Sequence, residues 1–368
     1  EAKIGGIEAA EKTLSKLAAE APTRRLEPGL TLTDASQSAL ASLEIDSGKA
    51  QQAIDRLKPL LAQTKNPQQV REYQWQLVAA YASLRNWPGM DGVLLSILAD
   101  PKTTSDEIVR AANYRRSANQ VDVALAMLDG VLAKNPADPG AAALKGFILA
   151  DKKAYAEAIA VVTPAWKSDK APVSLALLLA ALENGVGDKD SRNSRSEKVL
   201  VDALARFPES TDLIKAIYSM RRGVVTKAQI LAWLNDTIGE KASPQLKRLK
   251  ASILASEGEF DAADKLMADL ILQSPQDLAL VMERLAALRT RANQLKDDAD
   301  REQARGVNSQ LDQLITTYRG RFASNPELYA IEAELAADRG QAERAIEISR
   351  KIDALNPTSP LGPLVRLR

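Results

Sequence analysis

The chain has 368 residues, 45% of them hydrophobic but only 4% aromatic, with 49 Lys and Arg against 48 Asp and Glu. A net charge of +1 supplies no field for nucleic acid or an anionic membrane surface, and no apolar run is long enough to insert across a bilayer. With no Cys and no His, disulfides, thiolate metal sites and histidine-based acid–base chemistry are excluded.

The apolar content is mostly Ala and Leu, which suits helix-on-helix packing rather than a β-sandwich. Lack of Cys leans slightly to a periplasmic setting but fits many cytosolic proteins, so the compartment stays unassigned. Ile7 to Glu20, with Ala10, Leu14 and Leu17 at helical spacing and Pro22 behind, predicts a helix whose partner would lie upstream of Glu1. The chain starts with neither Met nor a signal peptide. The expectation is a piece cut from within a repeat, residues 1–32 being an orphan second helix and a linker.

Thr33–Glu44 and Lys49–Ala62 then predict a hairpin that turns at Ser47-Gly48. Gln69–Leu84 pairs with Trp87–Ala99, Asp106–Ala118 with Val121–Lys134, and Gly140–Ala150 with Tyr155–Lys167. Val173–Asn184 pairs with Ser196–Phe207 across Gly185–Arg195, whose Gly, Ser and charge read as a mobile, dispensable loop. Asp212–Arg222 with Lys227–Ile238, and Gln245–Ser256 with Phe260–Gln273, follow. The stretch from Pro275 to Pro326 is too long for one ordinary unit, so an insertion near 290–306 is expected, both charged helices overrunning the stack into solvent. Glu327–Asp338 with Ala342–Leu355 restores the hairpin, and 358–368 opens a further helix. About nine hairpins over 33–357 result.

Ala124, Leu128 and Val131 recur at one constant offset as Ala158, Val162 and Ala165. Phe260, Ala263, Met267 and Leu270 restate Tyr155, Ala158, Val162 and Ala165, and small residues (Gly146, Ala158) stand where two helices would cross. This pattern resembles the tetratricopeptide repeat (TPR) family, whose helix-turn-helix unit is about 34 residues long, in a bacterial-type array. Most units here lack the large aromatic often found early in the first helix. The resemblance implies an all-α, right-handed superhelical solenoid of stacked antiparallel helix hairpins. It also implies a protein–protein interaction scaffold, binding a peptide or partner protein on a concave face lined by first helices.

Alignment of the hairpins puts Trp75, Asn113, Arg116, Phe147, Tyr218, Arg221, Arg222 and Arg248 on or near that face, though Trp75 and Phe147 could equally pack between units. Chaperone-binding members of the family hold a C-terminal carboxylate with Lys and Asn on successive first helices. The matching places here are Val109 with Asn113 and Ala143 with Phe147, so that clamp is not visible. Between Ser210 and Ser256 eight basic residues oppose Asp212, Asp236 and Glu240, which raises the expectation of an acidic partner.

No chemistry-bearing motif stands out, and no cofactor, metal or enzymatic activity is expected. Gly185-Val186-Gly187 lacks the rest of a phosphate-binding loop, and carboxylate pairs such as Asp297-Asp298 or Glu332 with Glu334 read as solvated helix surface. The rival reading is the helical arm of a larger enzyme or exopolysaccharide export machine.

Overall fold

The structure is a computed structural model that describes the backbone at residues 9–10, 12–14, 16, 25–27, 30–187, 189–295 and 300–356, with side chains there except at 25–27, 30–34 and 189–192. Two compact units are present, Glu1–Val199 and Leu200–Arg368. In the first, α1 (Leu32–Asp46) pairs with α2 (Ala50–Gln63) and α3 (Pro67–Ser83) with α4 (Trp87–Leu98). The pairs α5 (Ser105–Ser117) with α6 (Val121–Lys134) and α7 (Pro139–Asp151) with α8 (Tyr155–Trp166) follow, then α9 (Val173–Glu183); α10 (Lys189–Arg206) runs across the boundary at Val199. In the second unit α11 (Thr211–Arg221) precedes α12 (Lys227–Thr237), and α13 (Pro244–Ser256) precedes α14 (Phe260–Gln273). After them come α15 (Leu278–Gln294), α16 (Arg301–Arg321), α17 (Pro326–Asp338) and α18 (Ala342–Leu355).

Two kinds of junction build this repeat. Most first helices open on a side-chain cap, often followed by Pro at the first helical position, where a missing N–H costs nothing; α9, behind Pro172, has none. Asn66, Asp138, Ser243 and Asn325 each accept from a backbone N–H of the first turn ahead of Pro67, Pro139, Pro244 and Pro326. Within hairpins the chain turns differently. Asn86 N–H donates to the Tyr81 carbonyl at 2.9 Å, Gln120 to Arg115 at 2.9 Å and Ala154 to Leu149 at 2.9 Å. The residue before each donor is left-handed, with φ of 54° at Arg85, 61° at Asn119 and 61° at Lys153. These three turns follow one another at the same interval that separates Ala124 from Ala158, so the period seen in the apolar pattern is also a period in backbone conformation. Gly48, Gly258 and Gly340 occupy the same place in three other hairpins, where glycine carries no steric penalty.

The stripes expected from sequence form the core. Ala124, Leu128 and Val131 are buried, as are Ala158, Val162 and Ala165, and Ala263, Met267 and Leu270. Gly146 on α7 meets α8 so closely that a Cβ there would lie 2.6 Å from Val162 Cγ2. First helices also lie along the next first helix, α5 on α7 and α13 on α15, as stacked repeats require. The fold is an all-α helical solenoid of TPR-like repeats, with one short antiparallel ribbon, Arg25–Glu27 on Leu30–Thr31, in the stretch read as linker.

Three expectations are corrected. Gly185–Arg195 is not a mobile loop, because α10 already begins at Lys189. Arg195 donates to Glu183 Oε2 at 2.7 Å and to the Val186 carbonyl, and buried Ser196 donates to the Ala180 carbonyl at 2.7 Å. Gly185 lies against the Tyr155 ring, so closely that a Cβ there would press on it. Glu332 is not solvated surface, since it is buried between Arg319 and Arg344. Helices α15 and α16 are long, and the charged start of α16 (Arg301, Glu302, Arg305) is exposed as expected, but the arginines that end α15 are tied to neighbours rather than released into solvent. Arg289 bonds Asp338 at 2.6 Å and also Glu334, Arg291 pairs with Asp261, and Arg339 reaches Asp312 at 2.9 Å. Most of Ile7–Glu20, together with Asp297-Asp298 and 358–368, lies outside the described residues.

Candidate functional site

Helix α5 starts in a reciprocal cap: Thr104 Oγ1 accepts from Glu107 N–H, and the Glu107 carboxylate accepts from Thr104 N–H. From that fixed start Ala111, Ala112 and Arg115 turn inward, while Asp106, Arg110, Asn113 and Arg116 share the opposite face. On α7 the inward set is Ala141, Ala142, Gly146, Ile148 and Leu149. Its outward set is Gly140, Ala143, Leu144, Phe147 and Asp151.

These two outward faces enclose a groove of about 630 Å³. The α5 wall is polar, the α7 wall largely apolar. At one end Val109 Cγ1 lies 3.6 Å from the Cβ position of Gly140, so the helices touch there. At the other end Arg116 Nη1 stands 4.0 Å from Asp151. Asn113 Oδ1 accepts from Arg116 Nε at 3.3 Å and Nη2 at 3.2 Å, which fixes the guanidinium over the opening. Phe147 is 52% exposed within this setting.

Asn113, Arg116 and Phe147 are therefore brought together, and Trp75 stands behind them as core. It is 6% exposed, stacks on Tyr114 at 6.3 Å, and carries the Arg110 guanidinium 4.3 Å over its ring. Its indole N–H donates to Glu107 at 3.2 Å, and Arg71 Nε reaches the same oxygen at 3.1 Å. Burial alone would raise the Glu107 pKa, but the Thr104 N–H, the indole and the Arg71 charge outweigh it and hold the carboxyl below its usual range. Val109, Asn113, Ala143 and Phe147 all line the groove. Asp106, Arg110, Leu144 and Asp151 were not singled out from sequence, although Arg110, Leu144 and Asp151 stand three or four residues from Asn113 or Phe147, and Asp106 seven from Asn113, offsets that mark the same faces.

The second group is distributed differently. Tyr218 pairs with Ser256 Oγ at 2.6 Å and donates to Glu257 at 2.7 Å, and Arg222 Nε lies 4.0 Å from Glu257. Burial and that acceptor raise the Tyr218 pKa. Arg221 turns to α12, 4.9 Å over the Trp233 ring. Arg248 turns to α15, bonding Glu283 at 2.8 and 2.7 Å with Asp277 at 3.6 Å. Tyr218 and Arg222 thus meet at Glu257, while Arg221 and Arg248 engage separate neighbours.

Among the described residues no cluster of three or more carboxylates could hold a metal ion, and no helix is long and apolar enough to cross a membrane. No protein-family model matches the chain, and no curated protein matches it. Solved structures similar to it include a TPR protein of Parabacteroides merdae, 16% identical over 72% of this chain and 97% of that one, TM-score 0.36. The C-terminal part of a TPR repeat-containing protein of Cytophaga hutchinsonii is 14% identical over 70% and 98%, TM-score 0.40. A thermophilic TPR protein of Thermus thermophilus is 18% identical over 50% and 99%, TM-score 0.32. The chain's own hairpins define an all-α helical-repeat architecture.

Proposed function

We propose that the protein is an interaction scaffold that holds an extended segment of a partner protein between α5 and α7. The observation that carries this reading is Phe147, a large apolar side chain left 52% exposed in a groove beside a guanidinium already oriented by Asn113. An extended chain sends successive side chains to opposite sides. A segment alternating apolar and acidic residues would therefore set one kind against Phe147 and Leu144 and the other against Arg110 and Arg116. From Asp106 to Arg116 the α5 wall runs about 15 Å, which matches roughly four or five extended residues. Asp151, 4.0 Å from Arg116, is a loose counter-ion that an incoming carboxylate can displace. Tyr218, Arg221, Arg222 and Arg248 contribute at most a second contact, through Arg222 at Glu257.

The test is selection from a displayed random-peptide library on the immobilised chain, with a Phe147→Ser, Arg116→Ser double variant alongside. Alternating apolar and acidic peptides should enrich on the wild type and lose affinity by about 2 kcal/mol or more on the variant, as buried aromatic and Arg anchors do. Equal enrichment on both proteins removes the groove from the account.

A further inference from the structure

A second cleft, in the other unit, has a different chemistry. Helices α12, α13 and α14 enclose about 400 Å³. Leu231 from α12, Leu254 from α13 and Leu266 from α14 give it an apolar lining. Lys247 and Lys250 enter from α13, one turn apart, and Lys265 from α14. Among the described residues none of these three ammonium groups has a carboxylate within ion-pair reach. Lys250 Nζ instead donates to the Ile238 carbonyl at 2.7 Å, at the C-terminal end of α12. Its pKa is lowered, by burial. Elsewhere in this unit arginines are matched with acids, as Arg248 with Glu283 and Arg284 with Asp264. Lys247, Lys250 and Lys265, without such partners, share one apolar cleft.

Three acids also line it. Glu259 is already taken by Lys227 at 2.6 Å. Glu240 and Asp269 are exposed and leave the cleft with a surplus of one positive charge. We propose that this cleft binds a small monoanionic amphiphile, with its carboxylate among Lys247, Lys250 and Lys265 and its apolar body against Leu231, Leu254 and Leu266. The volume falls in the range of small-molecule sites, where a few placed polar groups orient a mostly apolar ligand. A multiply charged acid is disfavoured by Glu240 and Asp269, and a neutral or cationic amphiphile leaves the lysines unanswered.

Titration calorimetry of the full chain with octanoate, 1-octanol and octyltrimethylammonium tests the site. Octanoate should bind saturably at one site, octanol more weakly, and the cation not at all. Lys250→Met keeps most of the side-chain stem and should weaken octanoate by tenfold or more while leaving octanol unchanged. A Lys247→Gln, Lys265→Gln variant, altered away from the buried core, should weaken octanoate in the same sense if Lys250→Met does not fold. Equal binding of octanoate and octanol, no saturable octanoate binding, or undiminished binding in the folded variants would overturn the proposal. So would binding of hexaglutamate in place of octanoate, which would make the cleft a surface for acidic protein.

Discussion

The Trp75 indole N–H donates to the Glu107 carboxylate at 3.2 Å, so a side chain of α3 is held by the residue that caps α5. Arg71 closes the arrangement on the same oxygen. One carboxylate thereby fixes a helix start and the seam between two hairpins, directly behind the groove. Its folded pKa lies below the unfolded value, so the stabilisation is present at neutral pH and is lost as pH falls through the carboxylate range. Glu107→Gln should cost about 1–2 kcal/mol at pH 7. Melting temperatures of the two proteins should converge as pH falls through the carboxylate range. A gap that persists unchanged in acid contradicts a charged role for Glu107.

Helix crossing at α7 sets a second prediction. A Cβ at Gly146 would press on Val162 at 2.6 Å, whereas one at Gly130, inside α6, would meet nothing within 4 Å. Gly146→Ala should destabilise, by about 1–3 kcal/mol if the core must shift, and Gly130→Ala should stabilise by about 0.5–1 kcal/mol. Chemical denaturation of the pair decides it, and the same sign for both would show that crossing distance is not the control.

The hairpin turns give a third. Gly258 at φ 80° and Lys153 at φ 61° hold equivalent places. Gly258→Ala should cost about 1 kcal/mol, and Lys153→Gly should be neutral to stabilising, since only glycine enters the left-handed region freely. Loss of stability in Lys153→Gly would mean that the lysine side chain contributes more than its backbone conformation costs.

How far the sequence reveals this molecule depends on the range of the interaction. Ala124, Leu128, Val131 and their counterparts one repeat further on are legible because helix periodicity and repeat period are both local patterns. Gly146 is legible for the same reason. Gly185–Arg195 reads as loop because its composition is polar, while the groups that order it, Tyr155 on α8 with Ala180 and Glu183 on α9, belong to other elements. Glu332 reads as surface because its two arginines stand on other helices. In the groove, Asn113 and Phe147 are visible from hairpin alignment, but the pairing of a polar α5 wall with an apolar α7 wall appears only when the two helices lie side by side.

The corrected segment carries its own test. Ser196 is fully buried and bonds the Ala180 carbonyl. Ser196→Ala should cost about 1 kcal/mol by leaving that carbonyl with one acceptor site unanswered. Gly185→Ala should lower the melting temperature as well, because the Tyr155 ring must move. Wild-type stability in both would return the segment to the status of a spacer.

Hydrogen–deuterium exchange of the chain with and without a library-selected alternating peptide addresses the groove most directly. Bound peptide should slow exchange in Asp106–Ser117 and Gly140–Asp151, with little change in α6 and α8, and the Phe147→Ser, Arg116→Ser variant should show no such protection. Protection centred on α6 and α8, or protection in the double variant equal to wild type, would contradict the assignment of the partner site to α5 and α7.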